Sequence, residues 1–381
     1  MTNMRPGRPI AVQLRAVRLI YFMAGTGISA WAIIVPFSKI RFHLDDGTLG
    51  LMLLAPGVGG VIAMPFCGML VAKFGSRTVL LTSGIIFGVI LPVLAVAPSP
   101  AALTILLFFY GLTFGAIDIA MNAQAVVAEA RSGRLKMSSF HALYSIGSLA
   151  VALATSVLLR LGLTNAICAF LSAGVIFLLL GQTRHLVPKA GDLPSHGPPL
   201  ALPNRATLVL GLCCFACFLT EGAITDWSAI FLRFSRGMNL DAAFLGYAGF
   251  SVAMAGARLG GDAVAMRLGA ANVVRLGCLL AAAGLLVAVF VPYGAVGIFG
   301  FFLAGLGIGN IAPLVFSAAA RVPGMSAHLA VPAVVSLGYC GFLIGPVLIG
   351  LIAHKFSLSA ALGLDAALLF GTLFAAEAVA G

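Results

Sequence analysis

A chain of 381 residues that is 61% apolar and 9% charged, with mean hydropathy +1.12, lacks the polar surface needed to dissolve. Soluble domains carry roughly 25% charged residues, so the solvent of this chain is largely lipid. Its 22 Lys and Arg against 11 Asp and Glu, a net charge of +11, would suit a nucleic acid; their placement between apolar runs marks topology instead, and no nucleic-acid partner is expected.

A membrane-crossing helix needs ~20 apolar residues. In chain order, charged, polar or Pro/Gly-rich breaks leave twelve candidates, at about 14–38, 48–72, 78–97, 101–128, 139–159, 165–182, 206–232, 243–265, 272–291, 294–320, 327–352 and 358–379. No cleavage-like stretch follows the first of them, and no secretory signal is expected. Twelve crossings return both termini to one side. With the N-terminus in the cytoplasm, 15 basic residues lie on that side and six opposite (Lys39, Arg41, Arg160, Arg233, Arg236 and Lys355), while Arg258 falls inside a helix. The excess favours cytoplasmic termini. The interval 183–205, with five prolines, reads as a cytoplasmic linker between six-helix bundles at 1–182 and 206–381. The seven cysteines all lie in apolar runs, and the CxxC of Cys214 and Cys217 has no second ligand pair, so small apolar fillers are expected rather than a metal or redox site. No cofactor is expected.

The two halves echo each other. LDDGTLG (44–50) meets LDAAFLG (240–246) and SAW (29–31) meets TDW (225–227) at an offset of 196; GLTFG (111–115) meets GLGIG (305–309) and KFG (73–75) meets RLG (267–269) at 194. Parallel repeats of this kind suit a carrier that rocks two bundles about a site near the bilayer midplane.

The junction GMLVAKFGSR (68–77) resembles the signature loop of the Major Facilitator Superfamily, G-x-L-x-D-R/K-x-G-R/K-R/K. Gly68, Leu70, Lys73, Gly75 and Arg77 match, whereas Ala72 stands at the acidic position and Ser76 replaces one base. The second copy keeps Arg267 and Gly269, with Met266 at the acidic place. The resemblance implies an all-α integral membrane fold, with twelve transmembrane helices in two parallel six-helix repeats. The acid of the family's loop helps latch the cytoplasmic gate, so its absence here puts that latch in question. Lys73, Arg77 and Arg267 are the gating candidates at this level. Arg258 and Asp262, four apart on the eighth helix, can neutralise each other and join that set.

In the family the first, fourth, seventh and tenth helices line the cavity. Their polar residues here are Thr26, Ser29 and Trp31; Asp118 and Asn122; Glu221, Thr225, Asp226 and Trp227; and Asn310 and Ser317. Ionisable residues inside a membrane are rare and face cavities or partners. Asp118 lies mid-helix with no basic residue within ten positions, and Asn122 shares its face. Asp118-x-x-x-Asn122 is similar to the acid-x-x-x-Asn of the bacterial fucose–proton symporter branch, which implies a proton-coupling role; that branch's first-helix acid has no counterpart in 19–38. Asp118 is the first proton-coupling candidate and Glu221 the second. Asn122, Trp31, Ser29, Thr225, Asp226 and Asn310 are candidate solute contacts, although the position of Asp226 favours an outer-vestibule residue or hydrogen-bond bracket and that of the two tryptophans favours interface packing. His141, Tyr144, Ser145 and Ser148 form a polar stripe on the fifth helix, where a satisfied interfacial histidine is expected. Asp365 stands alone on the last helix, and the sequence assigns it no role.

These residues describe a monomeric secondary transporter of the bacterial cytoplasmic membrane. It would move a small polar solute by alternating access and couple that movement to protons. The alternatives are a proton-driven exporter of amphipathic compounds and a non-transporting solute sensor. No GxSxG, HExxH or paired metal-ligand motif is present, so an enzyme is not expected.

Overall fold

The structure is a computed structural model that describes residues 9–132, 136–186, 204–319, 321–325, 327–373 and 379. Most of the expected linker, 187–203, lies outside them. In lipid an unsatisfied backbone group costs several kcal/mol, so a spanning chain must close its hydrogen bonds within helices. The apolar runs do so as α1 (Ile10–Arg41), α2 (Asp46–Phe74), α3 (Ser76–Val96), α4 (Pro100–Ser132), α5 (Met137–Arg160), α6 (Asn165–Leu180), α7 (Arg205–Ile230), α8 (Leu245–Leu268), α9 (Ala270–Phe290), α10 (Gly294–Ile308 and Ile311–Ala319), α11 (Ala327–Lys355) and α12 (Leu358–Gly371). Among the described residues eleven of these segments are long and apolar enough to cross a membrane, and α12 is a shorter apolar helix. The fold is all-α, as the sequence indicates.

The internal repeat is visible in the helix boundaries. α3 and α9 are both 21 residues long and begin 194 residues apart. The glycine before each has the same backbone conformation, Gly75 at φ 84°, ψ 145° and Gly269 at φ 80°, ψ 146°. Only glycine occupies that region without strain, which explains why KFG and RLG share their last letter.

Helix contacts repeat as well. A Cβ on Gly111 of α4 would stand 1.9 Å from the Pro56 carbonyl oxygen of α2, and one on Gly305 of α10 would stand 2.3 Å from the Phe250 carbonyl oxygen of α8. Gly147 of α5 meets the Phe22 carbonyl of α1 in the same way, and Gly341 of α11 meets the Phe215 carbonyl of α7, at 2.2 and 2.3 Å. Lipid tails are as apolar as leucine, so membrane helices associate through such close backbone approaches at small residues.

The residues divide into two compact units. The first comprises the described parts of Met1–Ile34, Ala55–Val151 and Leu163–Pro194. Within it Tyr110 donates its hydroxyl to the Gly27 carbonyl at 2.8 Å and stacks on Phe87, while Gln124 of α4 donates to Ser76 at 2.8 Å beside the signature-like loop. The second comprises Val35–Leu54, Ala152–Gly162 and the described parts of Ser195–Gly381. Here Lys39 pairs with Asp46 at 2.7 Å and Arg160 with Asp241 at 2.8 Å. α2 and α11 touch backbone to backbone, a Cβ on Gly350 falling 2.6 Å from the Asp46 carbonyl oxygen.

Asp45 precedes α2 and accepts from the Thr48 amide at 2.9 Å and the Thr48 hydroxyl at 2.7 Å, an N-cap that satisfies one of the helix's free donors. Those bonds, and more weakly the His354 imidazole 3.1 Å away, hold its carboxyl at about 2, below the ordinary 3.8. A depressed native value means the stabilisation is complete above the unfolded value and disappears as pH falls through the native one. Melting curves of detergent-purified protein should show Asp45→Ala losing about 1 kcal/mol at neutral pH, with the gap to the parent closing between about pH 4 and pH 2. Gly305→Ala should cost about 1–3 kcal/mol through overpacking, whereas Gly363→Ala on α12, where a Cβ meets nothing within 4 Å, should not lower the melting temperature.

Candidate functional site

α4 carries Asp118 and Asn122 four residues apart, so they point to one side of the helix. Both are half-buried. The Asn122 amide donates to the Asp118 carboxylate at 3.1 Å and to the Asp118 carbonyl at 2.9 Å, and its own oxygen accepts the Tyr21 hydroxyl of α1 at 2.6 Å. Tyr21 is fully buried, stacked on Phe140 and edge-on to His141 of α5 at 5.1 Å. Three helices of the first unit thus converge on one carboxyl through a neutral amide. The Asn122 amide thus bonds both the carboxylate and the backbone carbonyl of Asp118, and Tyr21 holds Asn122 in place. Sequence reading selected Asp118 and Asn122, and placed His141 only as an interfacial residue. It passed over Tyr21, although a tyrosine in mid-span needs a partner for its hydroxyl.

The second unit contains a different arrangement. Glu221 of α7 stands 3.7 Å from the Arg258 guanidinium of α8, the two side chains 17% and 15% exposed. Arg258 also donates Nε to the Gly309 carbonyl at 3.4 Å. That carbonyl lacks a helical donor for a chemical reason: the residue four positions on is Pro313, which has no N–H. α10 is interrupted there, at Gly309–Asn310, and the arginine takes the carbonyl the proline leaves. Arg258 therefore engages α7 and α10, partners that an i,i+4 reading toward Asp262 does not anticipate; the Asp262 side chain lies outside the described residues.

The other candidates fall in several places. Asn310 donates to the Ala257 carbonyl of α8 at 2.7 Å and packs on Gly261, so its amide lies in the α8–α10 seam. Thr225 donates to the Glu221 carbonyl at 2.7 Å, and Asp226 is half-buried beyond it. Trp31 is buried with its ring 6.2 Å from Tyr110. The Ser29 hydroxyl and the Trp227 indole N–H are buried without a hydrogen-bond partner among the described residues. Lys73 is exposed at the end of α2 with its ammonium over the Phe74 ring; Arg77 is half-buried at the start of α3, and Arg267 is exposed at the end of α8. Asp365, which the sequence left without a role, is buried on α12 and hydrogen-bonded to Thr220 of α7 at 2.8 Å. Cys214 and Cys217 are buried free thiols.

Comparison with known proteins agrees with this architecture. Residues 18–340 match the model of the Major Facilitator Superfamily. An uncharacterized MFS-type transporter of Yersinia pestis is 42% identical over 98% of this chain and 97% of its own length. The membrane protein MosC of Rhizobium meliloti is 32% identical over 96% of this chain and 88% of its own. Among solved structures, the nucleoside transporter NupG superposes with a TM-score of 0.75 at 15% identity, covering 96% of this chain and 98% of that one. The E. coli fucose:proton symporter FucP gives 0.65 at 16%, covering 98% and 100%. At such identities the structural likeness is one of fold. Family match, relatives and helix architecture together make this chain a secondary transporter that belongs to the Major Facilitator Superfamily.

Proposed function

We propose that this transporter is proton-coupled through Asp118 and moves a small polar solute across the bacterial cytoplasmic membrane, with both termini in the cytoplasm. The observation that carries the reading is the anchoring of a mid-helix carboxyl: the Asn122 amide donates to the Asp118 carboxylate and is braced by Tyr21. Intramembrane carboxyls of this kind are recurrent proton carriers. FucP is by its own description a fucose:proton symporter, and its fold is shared, which supports coupling here. The charge asymmetry across the spans supports the orientation.

In this reading Glu221 is an ion-pair partner of Arg258, and its proton-coupling role is secondary to that of Asp118. Lys73, Arg77 and Arg267 lie at the helix ends where the signature-like loops turn, in keeping with gating.

The test is transport in proteoliposomes, with substrate first found by thermal-shift screening of sugars, organic acids, nucleosides, amino acids and amphipathic cations at two pH values. Asp118→Asn should abolish accumulation driven by a pH gradient while solute exchange persists; full proton-driven accumulation by this variant overturns the assignment. Tyr21→Phe should retain coupling with reduced rate, since it removes a brace and not the proton carrier. For the second unit, Arg258→Met should lose about 3–5 kcal/mol in a melting assay by stranding Glu221, and Glu221→Gln in the same chain should recover most of it.

A further inference from the structure

A cavity of about 280 Å³ opens between the first turns of α1 and the 3-10 turn Gly181–His185 that follows α6. Val12, Arg15, Gln182, Arg184 and His185 line it. Among the described residues no carboxylate pairs with Arg15 or Arg184, and Arg184 instead donates Nε to the His185 Nε2 at 3.1 Å. A guanidinium from α1 and one from the turn after α6 therefore line one cavity, together with an amide. Guanidinium forks match phosphate oxygens geometrically and keep their charge at every physiological pH. Basic side chains at the end of a helix also complement its dipole, but that accounts for Arg184 and His185 and not for Arg15, which comes from the beginning of another helix.

The face of α6 leading to this cavity has a shape of its own. Phe170, Phe177 and Leu178 are 60%, 42% and 75% exposed, an apolar strip that water would not tolerate and lipid would. Between and beyond them Gly174 and Gly181 leave notches, with nothing within 4 Å of where a Cβ would stand. These residues recur at helical spacing (170, 174, 177, 178, 181) on one side of α6. The strip and its notches lie on the helix that continues directly into the Gly181–His185 turn lining the basic cavity.

We propose that this cavity binds the phosphate headgroup of an anionic membrane lipid, with an acyl chain lying along the Gly174 notch of α6. Basic pockets at the ends of membrane helices attract anionic headgroups, and the attraction falls with salt. The site shares no residue with the Asp118 or Glu221 clusters and stands independently of proton coupling.

The experiment uses the full-length protein in nanodiscs of phosphatidylcholine with or without phosphatidylglycerol, and native mass spectrometry reads the lipid retained after release into detergent. The parent should retain phosphatidylglycerol over phosphatidylcholine by about tenfold or more at low salt. Arg15→Gln with Arg184→Gln should lose that preference, while Arg205→Gln, an exposed arginine at the start of α7, should keep it. Gly174→Leu, which fills the notch without touching the cavity, should weaken lipid retention on its own and keeps the test open should the double variant fold poorly. Equal preference in the parent and the arginine double variant overturns the proposal. So does thermal stabilisation by inorganic phosphate alone that matches the lipid's effect and survives Gly174→Leu, since that outcome makes the cavity a soluble-anion site.

Discussion

Helices already dissolved in lipid gain little by hiding apolar side chains from one another, so what holds this fold together is the close approach of one backbone to another at glycine. At Gly111, Gly147, Gly305 and Gly341 any larger residue would drive into a facing carbonyl. Dispersion forces fall steeply with distance, and a gap of even half an ångström forfeits a sizeable share of each contact. The same four contacts fix which helices pair: α2 with α4, α1 with α5, α8 with α10 and α7 with α11. Everything the candidate sites need follows from these pairings. Tyr21 reaches Asn122 because α1 is held in register by α5, and Arg258 reaches Gly309 because α8 is pressed on α10.

The sequence made much of this legible. Runs of about twenty apolar residues located the helices, because hydrocarbon thickness imposes that length regardless of detail. The GLTFG and GLGIG echo and the KFG and RLG echo marked positions where glycine is required, at Gly111 and Gly305 by contact and at Gly75 and Gly269 by a positive φ. Such constraints act on single residues and so leave a mark in single letters. Asp118 and Asn122 were readable for a related reason, since four-residue spacing on one helix is local. Tyr21 was not, because its partner is 101 residues away and a tyrosine in an apolar run carries no periodic signal. The Glu221–Arg258 contact was equally silent: spacing along the chain offered Asp262, and only tertiary packing brings α7 and α10 to the guanidinium.

The repeat also shows where the two copies part. Ala312 occupies the place of Asp118 at the 194-residue offset, and Phe316 that of Asn122. The first copy thus keeps a carboxyl beside Asn122, which Tyr21 braces next to Phe140 and His141, while the second keeps a carboxylate and a guanidinium in one place. The scaffold is duplicated, and its polar contents are not.

Pro313 gives this division a mechanical side. At the matching position of α4 stands Ile119, whose amide is present, and α4 runs unbroken from Pro100 to Ser132. Removing one N–H from α10 interrupts that helix and leaves a carbonyl for Arg258. The guanidinium is consequently held by a backbone carbonyl as well as by Glu221, and that carbonyl never titrates. If Glu221 were neutralised, Arg258 would remain tethered to α10 instead of swinging free into a low-dielectric interior. A missing hydrogen on one helix thereby acts as ballast for a charge on another.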